Sequence, residues 1–130
     1  MTTVLLCDDD RVMLQILEVA VKHADKDALI FSTNEPKIAI DAAKRIGFNF
    51  AFVDWYMPGY TGADVLRELP DPCIRILCTA REVNDDLRAN AVEAGAHGIF
   101  SKPVNMNQVS DIIKGKPDRL LVDVIASGHS

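Results

Sequence analysis

Residues 3–20, TVLLCDDDRVMLQILEVA, join a short apolar run to an acidic turn and then to a stretch whose apolar residues recur at helical spacing. The run from Thr3 to Cys7 has the composition of a strand that is buried on both faces. Four of the apolar residues that follow fall on one side of a predicted helix: Val12, Ile16, Val19 and Ala20. A buried strand followed by an amphipathic helix is the unit from which parallel α/β sheets are built.

The same unit recurs along the chain, which predicts five strands and five helices. The candidate strands are Thr3 to Cys7, Ala28 to Ser32, Phe50 to Val53, Ile74 to Cys78 and Gly98 to Ser101. A second helix is predicted with Ile38, Ala39, Ala42 and Ile46 on one face and Gly47 as its cap. The other helices are predicted over Ala63 to Leu69, over Val83 to Ala94, and after Pro103.

This alternation predicts an α/β fold of the flavodoxin-like (βα)5 type. Such a chain forms a doubly wound sandwich around a five-stranded parallel sheet in the order 2-1-3-4-5. Ligands of this architecture bind at the carboxyl ends of the strands, beside the switch between strands 1 and 3.

Composition and charge exclude several classes of protein. The chain has 130 residues and a formal net charge of −5, and it has no cluster of Lys or Arg that could neutralise several phosphates, which disfavours nucleic-acid binding. Its apolar runs are far shorter than the roughly 18 residues of a membrane span, and the N-terminus lacks a signal-peptide pattern, so we expect a cytoplasmic protein without a membrane anchor. Cys7, Cys73 and Cys78 stand in apolar runs without metal-binding spacing and are expected to be reduced core thiols.

Polar residues follow four of the predicted strands. Asp8-Asp9-Asp10 follows the first strand, Asp54 the third, Thr79 the fourth and Lys102 the fifth. Strands 1 and 3 are neighbours in the predicted order, so Asp8, Asp9 and Asp54 should form one acidic pocket. Carboxylates about 5 Å apart repel each other by roughly 3 kcal/mol per pair at an effective dielectric constant of about 20. A hard divalent ion relieves this repulsion, and Mg²⁺ fits best because it combines a few carboxylates with water and phosphate oxygens.

Together these residues indicate phosphoryl transfer to Asp54, with Thr79 and Lys102 holding the incoming oxygens. Each residue taken alone has a simpler interpretation. Asp9 or Asp10 suits a helix N-cap, Thr79 suits another cap, and Lys102 suits a solvated lysine at a strand end. The site is favoured because all of them are expected at one edge of one sheet.

Four segments resemble the signature segments of response-regulator receiver domains, the phosphoaccepting modules of two-component and phosphorelay signalling, which include the chemotaxis regulators. They are VLLCDDD at 4–10, FVDWYMPG at 52–59, ILCTA at 76–80 and FSKP at 100–103. Their order and spacing agree with that family over roughly residues 3–115. The resemblance implies that residues 1–115 form a receiver domain. Residues 116–130 would then be an extra helix, a dimerisation segment or a linker.

The resemblance also implies roles for individual residues. Asp54 would be the phosphoacceptor, and Asp8, Asp9 and Asp54 would bind Mg²⁺, or Mn²⁺ as an alternative, together with the backbone carbonyl of Tyr56. Each of these assignments follows from a position that matches the family's motif.

Further implied roles concern the phosphoryl oxygens and the loops around them. Thr79 and Lys102 would contact those oxygens, and the peptide between Lys102 and Pro103 would be cis. Gly62 matches the family's glycine after the phosphorylation loop, where a bend without a Cβ is needed. Asp10 is expected to cap the first helix.

One position departs from the family pattern. In the family, the threonine moves toward the phosphoryl group and an aromatic residue three positions before the lysine rotates inward, which reshapes the face of helix 4, strand 5 and helix 5. Here that position is Ile99, and the adjacent Phe100 should lie on the other face of its strand. The aromatic readout is therefore not expected. The residues in the switch positions are Thr79 and Ile99, and Ile99 is alternatively a plain core residue.

Three residues beside the acceptor concern lifetime and detection. Tyr56 and Arg81 stand two residues after Asp54 and Thr79, at positions that tune dephosphorylation in the family. Trp55 is expected to report metal binding through its fluorescence, or else to be a partly exposed loop residue.

As a receiver, the protein would accept its phosphoryl group from a histidine kinase or a histidine phosphotransfer protein and would act on an unspecified downstream effector. It would assist its own phosphorylation and dephosphorylation without being a turnover enzyme, as a monomer or a phosphorylation-dependent dimer. The alternative is a phosphohydrolase of the haloacid-dehalogenase type with Asp8 as nucleophile, since Asp8-x-Asp10 follows the first strand. A flavin or nucleotide binder is disfavoured because the first turn has no glycine and would repel a phosphate in the absence of a metal ion.

Overall fold

The computed structural model describes residues 1–115, and the segment 116–130 lies outside the described residues. The main sheet has five strands: β1 (Thr3–Cys7), β2 (Leu29–Thr33), β3 (Phe50–Asp54), β4 (Ile74–Thr79) and β5 (Gly98–Ser101). The helices are α1 (Arg11–Ala24), α2 (Pro36–Arg45), α3 (Gly62–Leu66), α4 (Asp85–Glu93) and α5 (Met106–Ile113). A small antiparallel hairpin pairs Tyr56–Met57 with Tyr60–Thr61.

The sheet confirms the predicted topology. All neighbouring strands of the main sheet pair in parallel, in the order β2-β1-β3-β4-β5. The predicted strand bounds differ from the observed ones by one residue at most, as in β2, which begins at Leu29 instead of Ala28. The fold class is therefore the doubly wound α/β sandwich that the alternation of strands and helices indicates.

Two apolar layers lie on opposite faces of the sheet. One layer joins alternate strand residues such as Leu5 and Val53 to buried residues of α2, α3 and α4. The other joins Leu6 and Phe52 to buried residues of α1 and α5. Burial on both faces explains why the central strands are apolar without interruption.

The predicted buried face of α1 is wrong. Val12 and Val19 are largely exposed and Ile16 is partly exposed, whereas only Ala20 of the predicted set is buried. The helix buries a different set instead: Met13, Leu14, Leu17, Ala20 and Val21. Both faces are apolar, so periodicity could not select between them, and the structure buries the face with the larger side chains.

The predicted buried face of α2 is confirmed for two of its four residues. Ala39 and Ala42 are buried, but Ile38 and Ile46 are about two-fifths exposed. The helix ends at Arg45 with Ile46 as its C-cap, so Gly47 does not cap it.

Two further helices are shorter than predicted. Helix α3 covers Gly62–Leu66, and Arg67 continues only as a turn. Helix α4 begins after Asn84, whose side chain accepts a hydrogen bond from the Leu87 N–H at 2.9 Å. Within residues 1–115, no helix has the length and apolar character needed to cross a membrane.

Candidate functional site

The ends of β1 and β3 bring three carboxylates together. Oxygen atoms of Asp8, Asp9 and Asp54 all lie within 4.8 Å of one another. Asp8 and Asp54 are buried, whereas Asp9 is exposed. Neighbouring parallel strands thus place side chains that are 45 residues apart in the sequence into one acidic cluster at the carboxyl edge.

Lys102 supplies the positive charge of this site. Its Nζ lies 2.8 Å from Asp8 Oδ2 and 3.3 Å from Asp54 Oδ1. The peptide between Lys102 and Pro103 is cis, and the Lys102 N–H donates to the Thr79 carbonyl at 2.8 Å. Burial lowers the pKa of Lys102, but the hydrogen bond and charge of Asp8, with the charge of Asp54, outweigh burial and raise that pKa. The lysine is therefore a cation at neutral pH.

The Asp54 carboxyl is harder to ionise than an ordinary aspartate. Its pKa is raised from 3.8 to about 6, first by burial and then by the negative charge of Asp8, while Lys102 opposes the rise. Three carboxylates facing one lysine leave an excess of negative charge in a buried place. A further cation would therefore favour the ionised form of Asp54.

The carboxylates fit a hard divalent cation. Asp8 is fully buried, and its Oδ1 accepts a hydrogen bond from the Asp10 N–H at 2.9 Å. Its Oδ2 meets the Lys102 ammonium but has no hydrogen-bond partner otherwise among residues 1–115. Burial raises the pKa of Asp8, although the hydrogen bonds from Lys102 and Asp10 act to lower it. A buried oxygen with free lone pairs, beside two more carboxylates, is a donor set of the kind that Mg²⁺ takes.

Thr79 and Arg81 lie at the end of β4, next to β3. Thr79 is buried, and its Oγ1 accepts a hydrogen bond from the Arg81 N–H at 3.1 Å. The Arg81 guanidinium carbon lies 3.9 Å from the centre of the Tyr56 ring, at cation–π distance. Tyr56 and Arg81 are both exposed, so this pair forms the outer rim of the site.

Comparison with known proteins identifies the family. The family model of the response regulator receiver domain matches residues 4–114. The chain belongs to this family. The receiver is 28% identical over 118 residues to the chemotaxis protein CheY of Pseudomonas aeruginosa, a match that covers 85% of this chain and 92% of CheY.

Two further comparisons agree. The receiver is 29% identical over 105 residues to the transcriptional regulatory protein YdfI of Bacillus subtilis, which covers 78% of this chain and 48% of YdfI. The chain thus spans about half the length of that relative. A CheY-like receiver domain from Methanospirillum hungatei superposes with a TM-score of 0.79 at 21% identity, covering 92% of this chain and 95% of that one.

Ile99 and Phe100 of this receiver face opposite layers, as the alternation of strand side chains predicts. Ile99 is 5% exposed and belongs to the layer that contains Leu87 and Ala91 of α4. Phe100 lies in the other layer, with its ring centre 6.4 Å from that of Phe52. Phe100 therefore does not occupy the place of the family's aromatic residue.

Gly62 of the receiver is required by close packing. A Cβ on Gly62 would lie 2.7 Å from the Asp54 carbonyl oxygen and 2.7 Å from Leu77 Cδ2. Its N–H donates to the Trp55 carbonyl at 2.8 Å, which closes the loop after Asp54. The sequence predicts a bend here, but the structure gives close contact with β3 and β4 as the reason for glycine.

Two further predictions from the sequence, the cap of α1 and the buried cysteines, agree with the structure. Asp10 caps α1, because its side chain accepts from the Val12 N–H at 2.9 Å. The three cysteines are buried and free, and burial raises the pKa of Cys7 to about 12 and that of Cys73 to about 11. These thiols are neutral core residues at physiological pH.

A hydrogen bond that was not predicted from the sequence holds the loop after Asp54. Asp64 Oδ2 accepts a hydrogen bond from the Thr61 N–H at 2.9 Å, at the start of α3. The signal was present in the sequence as Thr61-x-x-Asp64, since an acidic residue three positions after a threonine is typical of a helix N-terminus.

Trp55 is 7% exposed, which excludes the alternative prediction that it is a partly exposed loop residue.

Proposed function

We propose that Asp54 of this receiver accepts a phosphoryl group from a phosphohistidine of a histidine kinase or histidine phosphotransfer protein, in a reaction that depends on Mg²⁺ or Mn²⁺. The observation that supports this proposal is that Asp54 lies at the carboxyl end of β3, within 4.8 Å of the Asp8 and Asp9 carboxylates and 3.3 Å from the Lys102 ammonium. Phosphorylation would then change the face of α4, β5 and α5, and with it the affinity for a downstream effector.

In this reaction an Asp54 carboxylate oxygen attacks phosphorus. The new P–O bond forms as the P–N bond to the donor imidazole breaks, and the imidazole nitrogen keeps the bonding pair and takes up a proton. Lys102, 3.3 Å from Asp54 Oδ1, is placed to neutralise charge on the transferred oxygens, and Thr79 is placed to donate a hydrogen bond to them. The domain promotes its own modification and does not turn over a substrate.

The proposed metal ligands are the Asp8, Asp9 and Asp54 carboxylates and the Tyr56 backbone carbonyl. When bound, the divalent cation supplies charge neutralisation that lets an anionic donor approach a carboxylate. Asp8 is prepared for this role because the Asp10 N–H and the Lys102 ammonium fix its two oxygens.

The proposed switch begins at Thr79. Its Oγ1 accepts from the Arg81 N–H, so turning the hydroxyl toward a phosphoryl oxygen would break that hydrogen bond. The segment from Arg81 to the start of α4 would then be free to shift, and Ile99, packed in the layer of α4, is placed to follow it. An aliphatic residue in this position favours a change in packing over rotation of a ring.

Intact-mass spectrometry after incubation with acetyl phosphate tests the acceptor. We expect a gain of one phosphoryl group in the wild type with Mg²⁺, no gain with EDTA, and no gain in Asp54→Asn. Asp41→Asn, an equivalent change at an exposed position of α2, is the control and should be phosphorylated normally. A gain that persists in Asp54→Asn would contradict the proposal, and transfer to Asp8 would support the phosphohydrolase alternative.

Lys102→Ala separates metal binding from the switch. The variant keeps all three carboxylates, so it should still bind Mg²⁺, with Trp55 fluorescence as the readout because Trp55 follows Asp54 directly and is buried. It should fail to change the α4, β5 and α5 face after incubation with acetyl phosphate and Mg²⁺, as measured by hydrogen exchange.

Size-exclusion chromatography before and after phosphorylation distinguishes a monomer from a phosphorylation-dependent dimer.

A further inference from the structure

Helix α1 carries a second apolar face that no residue within 1–115 covers. Val12 is 63% exposed, Ile16 36% and Val19 58%. At spacings of four and three residues, these side chains form one continuous row, which we call the α1 stripe. Apolar residues that are exposed singly are ordinary, whereas a row of them on one helix is typical of a contact surface.

The two halves of the stripe have complementary shapes. A shallow hollow lies beside the carboxyl half, and its lining includes Val19 together with Glu18 and Lys22. In the amino-terminal half, Val12 is the most exposed residue of the stripe, and its neighbour Arg11 is exposed as well. One half therefore offers a projecting apolar side chain, and the other half offers a hollow with an apolar wall.

The charges beside the stripe favour an antiparallel copy of the same helix. Arg11 and Glu18 line one groove on the side of β2, and Lys22 lies one turn further along that side. The acidic turn of Asp9 and Asp10, both exposed, precedes the helix. In a parallel pair of copies, each of these charges would meet its own kind. In an antiparallel pair, Arg11 approaches Glu18 of the second copy, and the acidic turn approaches Lys22.

The same antiparallel register brings the apolar residues together. When Val12 of one copy lies opposite Val19 of the other, Ile16 lies at the two-fold axis between the copies. Each copy then seats Val12 in the hollow of the other, so every contact is made twice, as a two-fold interface requires. In this register Arg11 and Glu18 of the second copy are offset by about 3 Å along the helix axes, within reach of their long side chains.

We infer that two copies of this chain associate through their α1 stripes, as an antiparallel two-fold dimer that forms without phosphorylation. The inference is independent of the proposed phosphorylation of Asp54, because no residue of the stripe belongs to the carboxylate cluster. One helix from each copy makes a small interface, below about 1,200 Å² in total, so we expect a weak dimer with a Kd of about 10 μM to 1 mM.

Sedimentation equilibrium of the full chain tests the inference, at about 10 μM to 1 mM protein and with no phosphoryl donor. The average mass should rise with concentration from that of the monomer toward twice that value. Ile16→Asp should raise the Kd at least about tenfold, because it places two carboxylates at the two-fold axis. Val92→Asp is the control and should leave the Kd unchanged, since Val92 is 52% exposed on α4, outside the stripe.

Exchange of charges tests the register. Arg11→Glu and Glu18→Arg should each raise the Kd about three- to tenfold, because each substitution places like charges opposite one another at two places. The variant with both substitutions in one chain should return to within about twofold of the wild-type Kd, since its ion pairs are exchanged and not removed. A double variant that associates as weakly as the single variants would overturn the antiparallel arrangement.

Cysteine cross-linking gives a readout that does not depend on charge. Ile16→Cys should form a disulfide between two molecules at least about tenfold faster than Val12→Cys or Val92→Cys, because only position 16 meets itself across the axis. The native cysteines are buried and remain as background. A disulfide that forms faster through Val12→Cys would overturn the antiparallel register. A wild type that stays monomeric at every concentration would overturn the inference and leave the stripe to a different partner.

Discussion

The guanidinium of Arg81 stacks on the ring of Tyr56, with 3.9 Å between the guanidinium carbon and the ring centre. The backbone N–H of Arg81 also donates to Thr79 Oγ1 at 3.1 Å. Through these two contacts, Arg81 links the end of β4 to the loop that follows Asp54. We expect the stacked pair to hinder the approach of water to a phosphorylated Asp54.

Removing the Arg81 side chain should shorten the lifetime of the aspartyl phosphate. An exposed cation–π contact contributes about 0.5–1 kcal/mol, so we expect Arg81→Ala to speed dephosphorylation about two- to fivefold. The measurement is the decay of the phosphorylated mass after removal of acetyl phosphate. Arg45→Ala, at the exposed end of α2, is the control. A lifetime that is unchanged or longer in Arg81→Ala would show that the pair does not exclude water.

The raised pKa of Asp54 makes the metal-free protein less stable at neutral pH. The folded state holds the Asp54 proton more tightly than the unfolded chain does, with a pKa of about 6 against 3.8. The contribution of Asp54 to stability therefore falls as pH rises from about 4 through about 6, by at most about 3 kcal/mol. In EDTA at pH 7.5, Asp54→Asn should be more stable than the wild type by about 1–3 kcal/mol.

Urea unfolding at pH 5 and pH 7.5 measures this effect. The difference in free energy of unfolding between Asp54→Asn and the wild type should increase with pH. Saturating Mg²⁺ should reduce this difference, because the cation binds the folded wild type. Asp41→Asn should follow the wild type at both pH values. A gap that is constant across pH would contradict the raised pKa.

Gly62 and Gly47 form a matched pair of glycine positions. Gly62→Ala would place a Cβ 2.7 Å from the Asp54 carbonyl oxygen, whereas a Cβ on Gly47 would meet nothing within 4 Å. We expect Gly62→Ala to lower the free energy of unfolding by about 1–3 kcal/mol and to slow phosphorylation, because the acceptor strand must shift. Gly47→Ala should change stability by no more than about 0.5 kcal/mol. Equal stabilities of the two variants by urea unfolding would contradict the packing argument.

The fold and the residues that meet at the site can be predicted from the sequence for one reason. Parallel strands that alternate with helices bring their carboxyl ends to one edge, so residues that follow buried runs must meet there. Asp8, Asp54 and Lys102 could be placed in this way without any knowledge of side-chain conformations.

The sequence does not predict choices that depend on competition between similar alternatives. Helix α1 has two apolar faces, and only the assembled layer shows that Leu14 and Leu17 are buried while Val12 and Val19 are not. The stacking of Arg81 on Tyr56 is equally hidden, because the two residues are 25 positions apart and meet only when β3 and β4 pair.

His97 should make the fold sensitive to acid, at the end of the sheet opposite Asp54. The ring Nδ1 of His97 accepts a hydrogen bond from the Arg75 backbone N–H at 3.0 Å, and the backbone N–H of His97 donates to the Arg75 carbonyl at 2.7 Å. Burial, and then the charge of Arg75, lower the pKa of His97 below its ordinary value of 6.5. The unfolded chain therefore binds the proton first, and stability is lost as pH falls below 6.5 through the lower pKa of the folded state.

His97→Asn tests this assignment, because the asparagine Oδ1 can replace Nδ1 as acceptor for the Arg75 N–H but cannot be protonated. Urea unfolding should show that the free energy of unfolding of this variant rises relative to that of the wild type as pH is lowered from 7.5 to 5. Other titrating groups, including Asp54, cancel when the two proteins are compared at each pH. His23→Asn changes an exposed histidine of α1 and should keep the wild-type dependence. If the His97→Asn and wild-type curves stay parallel over this range, protonation of His97 does not destabilise the fold.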